Sequence, residues 1–314
     1  MIHKITMPTP FAVGDVNAFL LKGDALTLID AGLKTPEAYE ALKWGLKEAG
    51  YTFRDIDQVV LTHHHPDHAG WIEAFDRANI LGHAYNDPWL RRDDEFFAFH
   101  DAFYLACLKE AGVPEHHYSW VDRKGRSVQL MGERPLDQFL SEGDALPGHE
   151  GWGVIETPGH AQSHLVFWHE TSGTMIGGDL LLAKVSSNPL IEPPFDQSSG
   201  RPRSLLQYNH SIKRLLDLPI TLIYTGHGDE VRNAHVLIKE RLELQETRAM
   251  KVLGMMEEKP QTIFQLTRQI FPAVYEKQLG LTLSQTVGQV DFLLHKGLIE
   301  ERRDEKGVLW YAQT

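Results

Sequence analysis

Cysteine is nearly absent from this chain. Cys107 stands alone in 314 residues, so no disulfide can form within it, and the composition fits a reducing compartment. No apolar run approaches the length of a membrane span, and Met1-Ile2-His3-Lys4-Ile5-Thr6-Met7-Pro8 lacks the apolar core of a signal peptide. The expectation is a cytoplasmic protein without a membrane partner. Basic residues are also short: 31 Lys and Arg against 43 Asp and Glu leave a net charge of −12. An acidic surface repels phosphate backbones at long range, which weighs against nucleic acid as a partner while leaving room for a local basic groove. There is no internal repeat and no low-complexity segment. Hydrophobic residues at 42% are ordinary for a globular protein, and the length suits a large domain plus a small one.

What the chain holds in quantity is histidine, 17 residues. The densest group follows an apolar run: Val59-Val60-Leu61-Thr62-His63-His64-His65-Pro66-Asp67-His68-Ala69-Gly70. β-Branched residues in such a run suit a buried strand, and Pro66 forbids its simple continuation. His63 and His65 stand two apart, so both imidazoles project to one side while the chain is extended. Asp67 and His68 follow the turn, and Ala69 to Phe75 can open a helix. Three imidazoles and a carboxylate thus converge where a strand ends. That donor set suits a borderline-soft divalent metal, zinc above all.

The device of a strand closing on a polar residue recurs. Residues 17–21 and 25–30 read as a hairpin about Gly23-Asp24, with Asp30 at its edge as either a carboxylate that orients a histidine or an Asx-turn residue. Pro36 to Gly50 has helical periodicity, and Ile80 to Ala84 is a further strand. Residues 153–157 run into Pro158-Gly159-His160. Residues 174–179 close on Asp179 and residues 220–228 on His227, both beside glycines that let backbone come near a site. Strands and helices in alternation predict an α/β fold. From Pro88 to about Tyr118 the chain reads as a helical insertion rich in aromatics, either core or a lid over an active site. Val185 to Arg203 is a Pro- and Ser-rich loop carrying Arg201 and Arg203, and the amphipathic helix after it bears Tyr208. Loops this long are commonly functional, and these three residues are candidate substrate contacts.

The H-x-H-x-D-H run at 63–68, followed by His160, Asp179 and His227 at later strand ends, resembles the signature of the metallo-β-lactamase superfamily over about residues 1–230. The resemblance implies an α/β fold of the αβ/βα sandwich type. It also implies a dinuclear site, with His63, His65 and His160 on one metal, Asp67, His68 and His227 on the second, and Asp179 bridging the pair. Two zinc ions are expected, with manganese or iron as alternatives. A bridging hydroxide would attack a carbonyl or phosphorus, since one zinc alone can lower the pKa of bound water to about 7, and Asp67 would orient it or relay its proton. The family uses only the histidine after Pro-Gly, so His164 is expected to be a structural hydrogen-bonding residue. Flavodiiron members place an acid where His65 stands, and some exported antibiotic-hydrolysing members a cysteine where Asp179 stands; this chain departs from both. A mono-iron persulfide dioxygenase resembles the pattern too.

The expected division is a catalytic domain over 1–232 and a C-terminal module over 233–314. The latter begins with a helical stretch over 234–257, continues with helices over 262–271 and 283–295, and ends in a hairpin turning at Asp304-Glu305-Lys306-Gly307. That layout resembles a winged-helix module. Its third helix offers Thr282, Ser284, Gln285, Thr286 and Gln289 but no Arg or Lys before Lys296, so it lacks the usual means of holding phosphate. Packing or homodimerisation is the expected role. The superfamily branch with such a tail includes an endoribonuclease of single-stranded RNA. The functional readings, in order, are a hydrolase of a small ester, thioester or lactone, a phosphodiesterase or ribonuclease, and a non-catalytic winged-helix regulator. A relic need not keep a full ligand set, which ranks the regulator last.

Overall fold

The computed structural model describes residues 2–121 and 127–314. Strands β1 (Ile2–Met7), β2 (Val16–Lys22), β3 (Leu26–Ile29), β4 (Gln58–Val60), β5 (Asn79–Gly82) and β6 (Gln138–Phe139) form one sheet in that order. β1 to β3 are antiparallel neighbours, and β3 to β6 run parallel. A second sheet takes β7 (Trp152–Glu156), β8 (Leu165–His169), β9 (Thr174–Ile176) and β10 (Leu222–Tyr224) in the order β10-β9-β8-β7. Helices α1 (Pro36–Glu48), α2 (Asp87–Leu90), α3 (Asp94–Glu110), α4 (Ser204–Arg214), α5 (Ala234–Gly254), α6 (Ile263–Ile270) and α7 (Leu279–His295) pack around them. Among the described residues, no helix is long and apolar enough to cross a membrane.

Alternation along the strands explains the layering. Phe19, Leu21, Ile29, Val60 and Leu81 face inward and meet Val154, Leu165, Phe167 and Ile176 of the second sheet. Their sequence neighbours Leu20, Leu28 and Val59 face the other way and pack under Leu42 and Leu46 of α1. Thr35 caps that helix and Pro36 opens it, so the parallel crossover from β3 to β4 starts cleanly. Beyond the second sheet, Leu205 and Ile212 of α4 and Leu237 and Ile238 of α5 cover Val166, Met175 and Ile223. Helix, sheet, sheet, helix is the αβ/βα sandwich expected.

One local expectation is overturned. Ala69 to Phe75 does not open an α-helix; only Ile72–Ala74 makes a single tight turn. The N–H of Gly70 donates to Gly32 O at 2.7 Å and that of Trp71 to Ala31 O at 3.1 Å. Gly70 also lies so close to the Gly32–Lys34 backbone that a Cβ there would collide with it. Backbone donors that would begin a helix therefore bind the β3–α1 loop instead. Helix α5 contributes to two cores. The first half of α5 belongs to the core beneath the second sheet, while its Ala249 and Val252 pack with the C-terminal elements.

Those elements are α6, α7 and a three-stranded sheet of order β11-β13-β12, built from β11 (Gln261–Thr262), β12 (Ile299–Arg303) and β13 (Leu309–Gln313). Their core includes Tyr104, Leu108 and Ala111 from the aromatic insertion, so α3 is packing rather than a free lid. The polar face of α7 is turned inward as well. Thr282, Ser284, Thr286 and Gln289 are buried, Thr286 Oγ1 accepts from Thr267 Oγ1 at 2.9 Å, and Gln289 Nε2 donates to Gln245 Oε1 at 2.9 Å.

Candidate metal centre

Past β4 the chain turns so that His63 lies with its ring centroid 4.4 Å from His65, 4.1 Å from His68 and 5.1 Å from His160. Asp30 ends β3 in the left-handed region, φ 64°. So turned, its carboxylate accepts from the N–H of Thr62 at 2.8 Å and faces His68 Nδ1 at 2.8 Å. Of its two sequence readings, orientation of a histidine is the one this geometry realises. His160 Nδ1 lies 3.0 Å from Asn188 O, and His227 Nδ1 lies 2.9 Å from Asp15 O. A carbonyl only accepts, so Nδ1 of each ring carries a proton and Nε2 faces the site.

Inside, Nε2 of His68, His160 and His227 and Oδ1 of Asp179 are buried without a hydrogen-bond partner. The Asp179 carboxylate stands 3.5 Å from Nε2 of His68, 3.5 Å from Nε2 of His160 and 3.4 Å from Nε2 of His227. Asp67 lies 3.3 Å from His227 Nε2. Unpaired buried polar atoms cost about 1–3 kcal/mol each, so a cluster of them fits a cation between them. Donor atoms within 4.8 Å of one another group as His63, His65 and His160, as His63, His68 and Asp179, and as Asp67, His68 and His227. Every residue expected to hold metal is in one of these groups. Gly226 makes room: a Cβ there would strike Asp179 Oδ1, so only glycine lets the end of β10 come this close.

Burial pushes His63 well below its usual range and His160 down to about 4. Burial would lower His227 as well, but Asp179 and Asp67 outweigh it and raise it to about 10. Burial would raise Asp179, yet His227 and His68 hold it well below the usual carboxylate range. His63 and His160 are thus neutral imidazoles. At His227, imidazolium faces carboxylate, and that positive charge is what a dication would take over.

His164 stands apart. Its Nε2 accepts from the N–H of Asp179 at 3.1 Å and its Nδ1 faces Thr157 Oγ1 at 2.8 Å, so it positions Asp179 and has no lone pair for a metal. Sequence reasoning missed Glu192. This carboxylate, 2% exposed, accepts from the N–H of Gln162 at 2.6 Å and lies 3.2 Å from His64 Nε2 and 3.3 Å from His65 Nε2. Burial would raise it, but His64 and His65 hold it well below the usual range. With Nε2 held there, His65 is left with Nδ1 for the cluster, where it lies 2.9 Å from His63 Nε2.

The structure does not bring the three candidate substrate contacts to the cluster. Arg201 grips Asp291 of α7 with two bonds, of 2.8 and 2.7 Å. Arg203 is exposed just before α4. Tyr208 is fully buried under the second sheet and has no accessible surface for a substrate to touch. An amphipathic helix hides its aromatic residue as readily as it displays it, and here the core claims it.

A family model described as the Metallo-beta-lactamase superfamily matches residues 12–227. The chain is 45% identical over 294 residues to the Probable metallo-hydrolase YqjP of Bacillus subtilis, covering 93% of this chain and 92% of that protein. It is 28% identical over 235 residues to a hydroxyacylglutathione hydrolase of Cereibacter sphaeroides, covering 74% and 69%. A solved metallo-beta-lactamase family protein of Thermus thermophilus is similar at a TM-score of 0.82 and 26% identity, over 100% of this chain and 98% of that one.

Proposed function

Because the chain belongs to the metallo-β-lactamase superfamily and is a hydrolase of that kind, we propose that it cleaves a small-molecule ester, thioester or lactone with the help of two zinc ions. The observation that carries this reading is a set of three imidazole nitrogens and one carboxylate oxygen, all buried and without a hydrogen-bond partner, gathered about Asp179. Imidazole and carboxylate donors suit zinc, with manganese or iron as the ions availability would substitute. His63, His65 and His160 would hold one ion, Asp67, His68 and His227 the other, and Asp179 both. When bound, such dications polarise a carbonyl and make hydroxide available near neutral pH.

The protein's own groups do the positioning. Asp30 and the carbonyls of Asn188 and Asp15 fix three imidazoles through Nδ1, and His164 fixes Asp179. Asp67 has a second oxygen with which to orient the nucleophile or take its proton. The net reaction adds water across an acyl C–O or C–S bond and leaves a carboxylic acid with an alcohol or thiol, without oxidant or reductant.

Acyl substrates are favoured over phosphodiesters because Arg201 is committed to Asp291 and the chain carries −12. A relative named for hydrolysing hydroxyacylglutathione points the same way. Protein purified without chelator would be analysed for metal and assayed on esters, thioesters, lactones and phosphodiesters. Two ions per chain and acyl cleavage are expected. One ion or fewer per chain would remove the dinuclear site, and cleavage of phosphodiesters alone would remove the acyl substrate.

A further inference from the structure

A cavity of about 540 Å³ lies between the helical insertion and the C-terminal elements. Its described lining is mostly apolar, with Tyr104 and Leu108 of α3, Ile191 of the long loop, and Leu283, Val287 and Val290 of α7. Phe11 and Leu281, 37% and 44% exposed, line its outer part. We propose that this cavity receives the acyl chain of the substrate, so that α7 sets chain-length specificity. The proposal rests on the acyl-hydrolase reading above.

The cavity and the metal cluster share a wall. Residues 188–192 form one strap: Asn188 O faces His160 Nδ1, and Glu192 faces His65 Nε2. Leu190 and Ile191, between those two, line the cavity. On its outer side the cavity reaches Phe11, four residues before Asp15, whose carbonyl faces His227 Nδ1, so the strap and the β1–β2 loop border both the cavity and the cluster. The strap is tied from the cavity side. Ile191 N–H donates to Ser284 Oγ at 3.0 Å, and Tyr104 OH donates to Ile191 O at 2.5 Å.

The lining also says what the occupant is. Of the lining charges, Arg201 pairs with Asp291, Glu110 pairs with Arg303 and Lys277 is exposed, while Ser284 Oγ donates to Gly280 O at 2.8 Å. Polar groups already paired gain nothing from a charged ligand, whereas the remaining wall gains from each methylene it covers. A volume of this size is ordinary for a small-molecule site.

The full-length, metal-loaded protein would be assayed on thioesters of one thiol, from acetyl to dodecanoyl. kcat/KM should rise about three- to fourfold per methylene until the cavity is full. Val287→Trp, which fills the cavity, should lower the octanoyl-to-acetyl ratio of kcat/KM at least tenfold. If that variant does not fold, Leu281→Gln serves, with a smaller fall in the same ratio. A flat chain-length profile, or a ratio unmoved in a folded variant, would overturn the proposal. If nothing in the series is cleaved, simple thioesters are excluded as substrates and calorimetry decides the cavity alone. Octanoate binding more tightly than acetate, with the difference lost in the variant, would uphold it; equal binding would end it.

Discussion

Gln285 of α7 donates from Nε2 to Asn188 Oδ1 at 2.7 Å, and the carbonyl of the same Asn188 faces Nδ1 of His160 at 3.0 Å. A residue on the helix whose spacing suggests groove recognition thus reaches a candidate metal ligand in two steps. Partners that orient a ligating histidine are typically worth 10–100-fold in metal affinity. Gln285 acts one bond further out, so Gln285→Ala should weaken metal binding by up to about tenfold, read by competition with a chromogenic chelator. An affinity equal to wild type would show that the C-terminal elements do not brace the site.

Glu192 should matter more, because it faces His65 directly. Glu192→Gln keeps the shape and the contact with the Gln162 N–H while removing the charge that holds the imidazole. Metal affinity should fall about 10–100-fold with little change in fold, measured by chelator competition beside a thermal melt. Unchanged affinity in a folded variant would leave Glu192 as packing alone.

The candidate ligands were legible because each sits where a short local pattern ends: an apolar run, then His, Asp or a glycine. Strand and helix alternation was legible for the same reason. Glu192 was not, because its partner His65 lies 127 positions away and nothing in the surrounding loop marks it. The partner of Arg201 was hidden in the same way, since Asp291 lies 90 positions on. The missing helix after Gly70 shows the same limit from the other side. Its apolar spacing is real, but the carbonyls of Ala31 and Gly32 compete for the donors and win.

The acid limb of stability should contain a contribution from His149. Its Nε2 lies 2.6 Å from Thr27 Oγ1, and burial lowers its pKa below 6.5. A histidine depressed in the fold is neutral there and takes up a proton more readily when unfolded. Its contribution is therefore present above the unfolded pKa and lost as pH falls through the folded one. His63 and His160 shift in the same direction, so the comparison must be between variants. The urea midpoint should fall less between about pH 7.5 and 5 in His149→Gln than in wild type. Parallel pH profiles would assign the acid loss to other groups.

Asp67 offers the sharpest division between holding metal and moving a proton. Burial would raise its pKa, but His68 and His227 hold it below the usual carboxylate range, so it is an anion with an oxygen 3.3 Å from His227 Nε2. Asp67→Asn keeps the shape, removes one negative charge and leaves neither a strong ligand nor a proton acceptor. Acid–base assistance is typically worth about 10²–10⁴-fold, and loss of an ion would add to that. Steady-state kinetics on whichever acyl substrate proves active should therefore show kcat down by at least about a hundredfold while the metal-free protein still folds cooperatively in a thermal melt. Metal content must be measured on the same samples. Near wild-type turnover would remove Asp67 from the chemistry. A loss that disappears when excess zinc restores occupancy would leave the ligand role standing and the proton-relay role without support. A loss that persists at full occupancy is the expected result, because an amide can return to the coordination shell under excess metal but cannot take a proton from water.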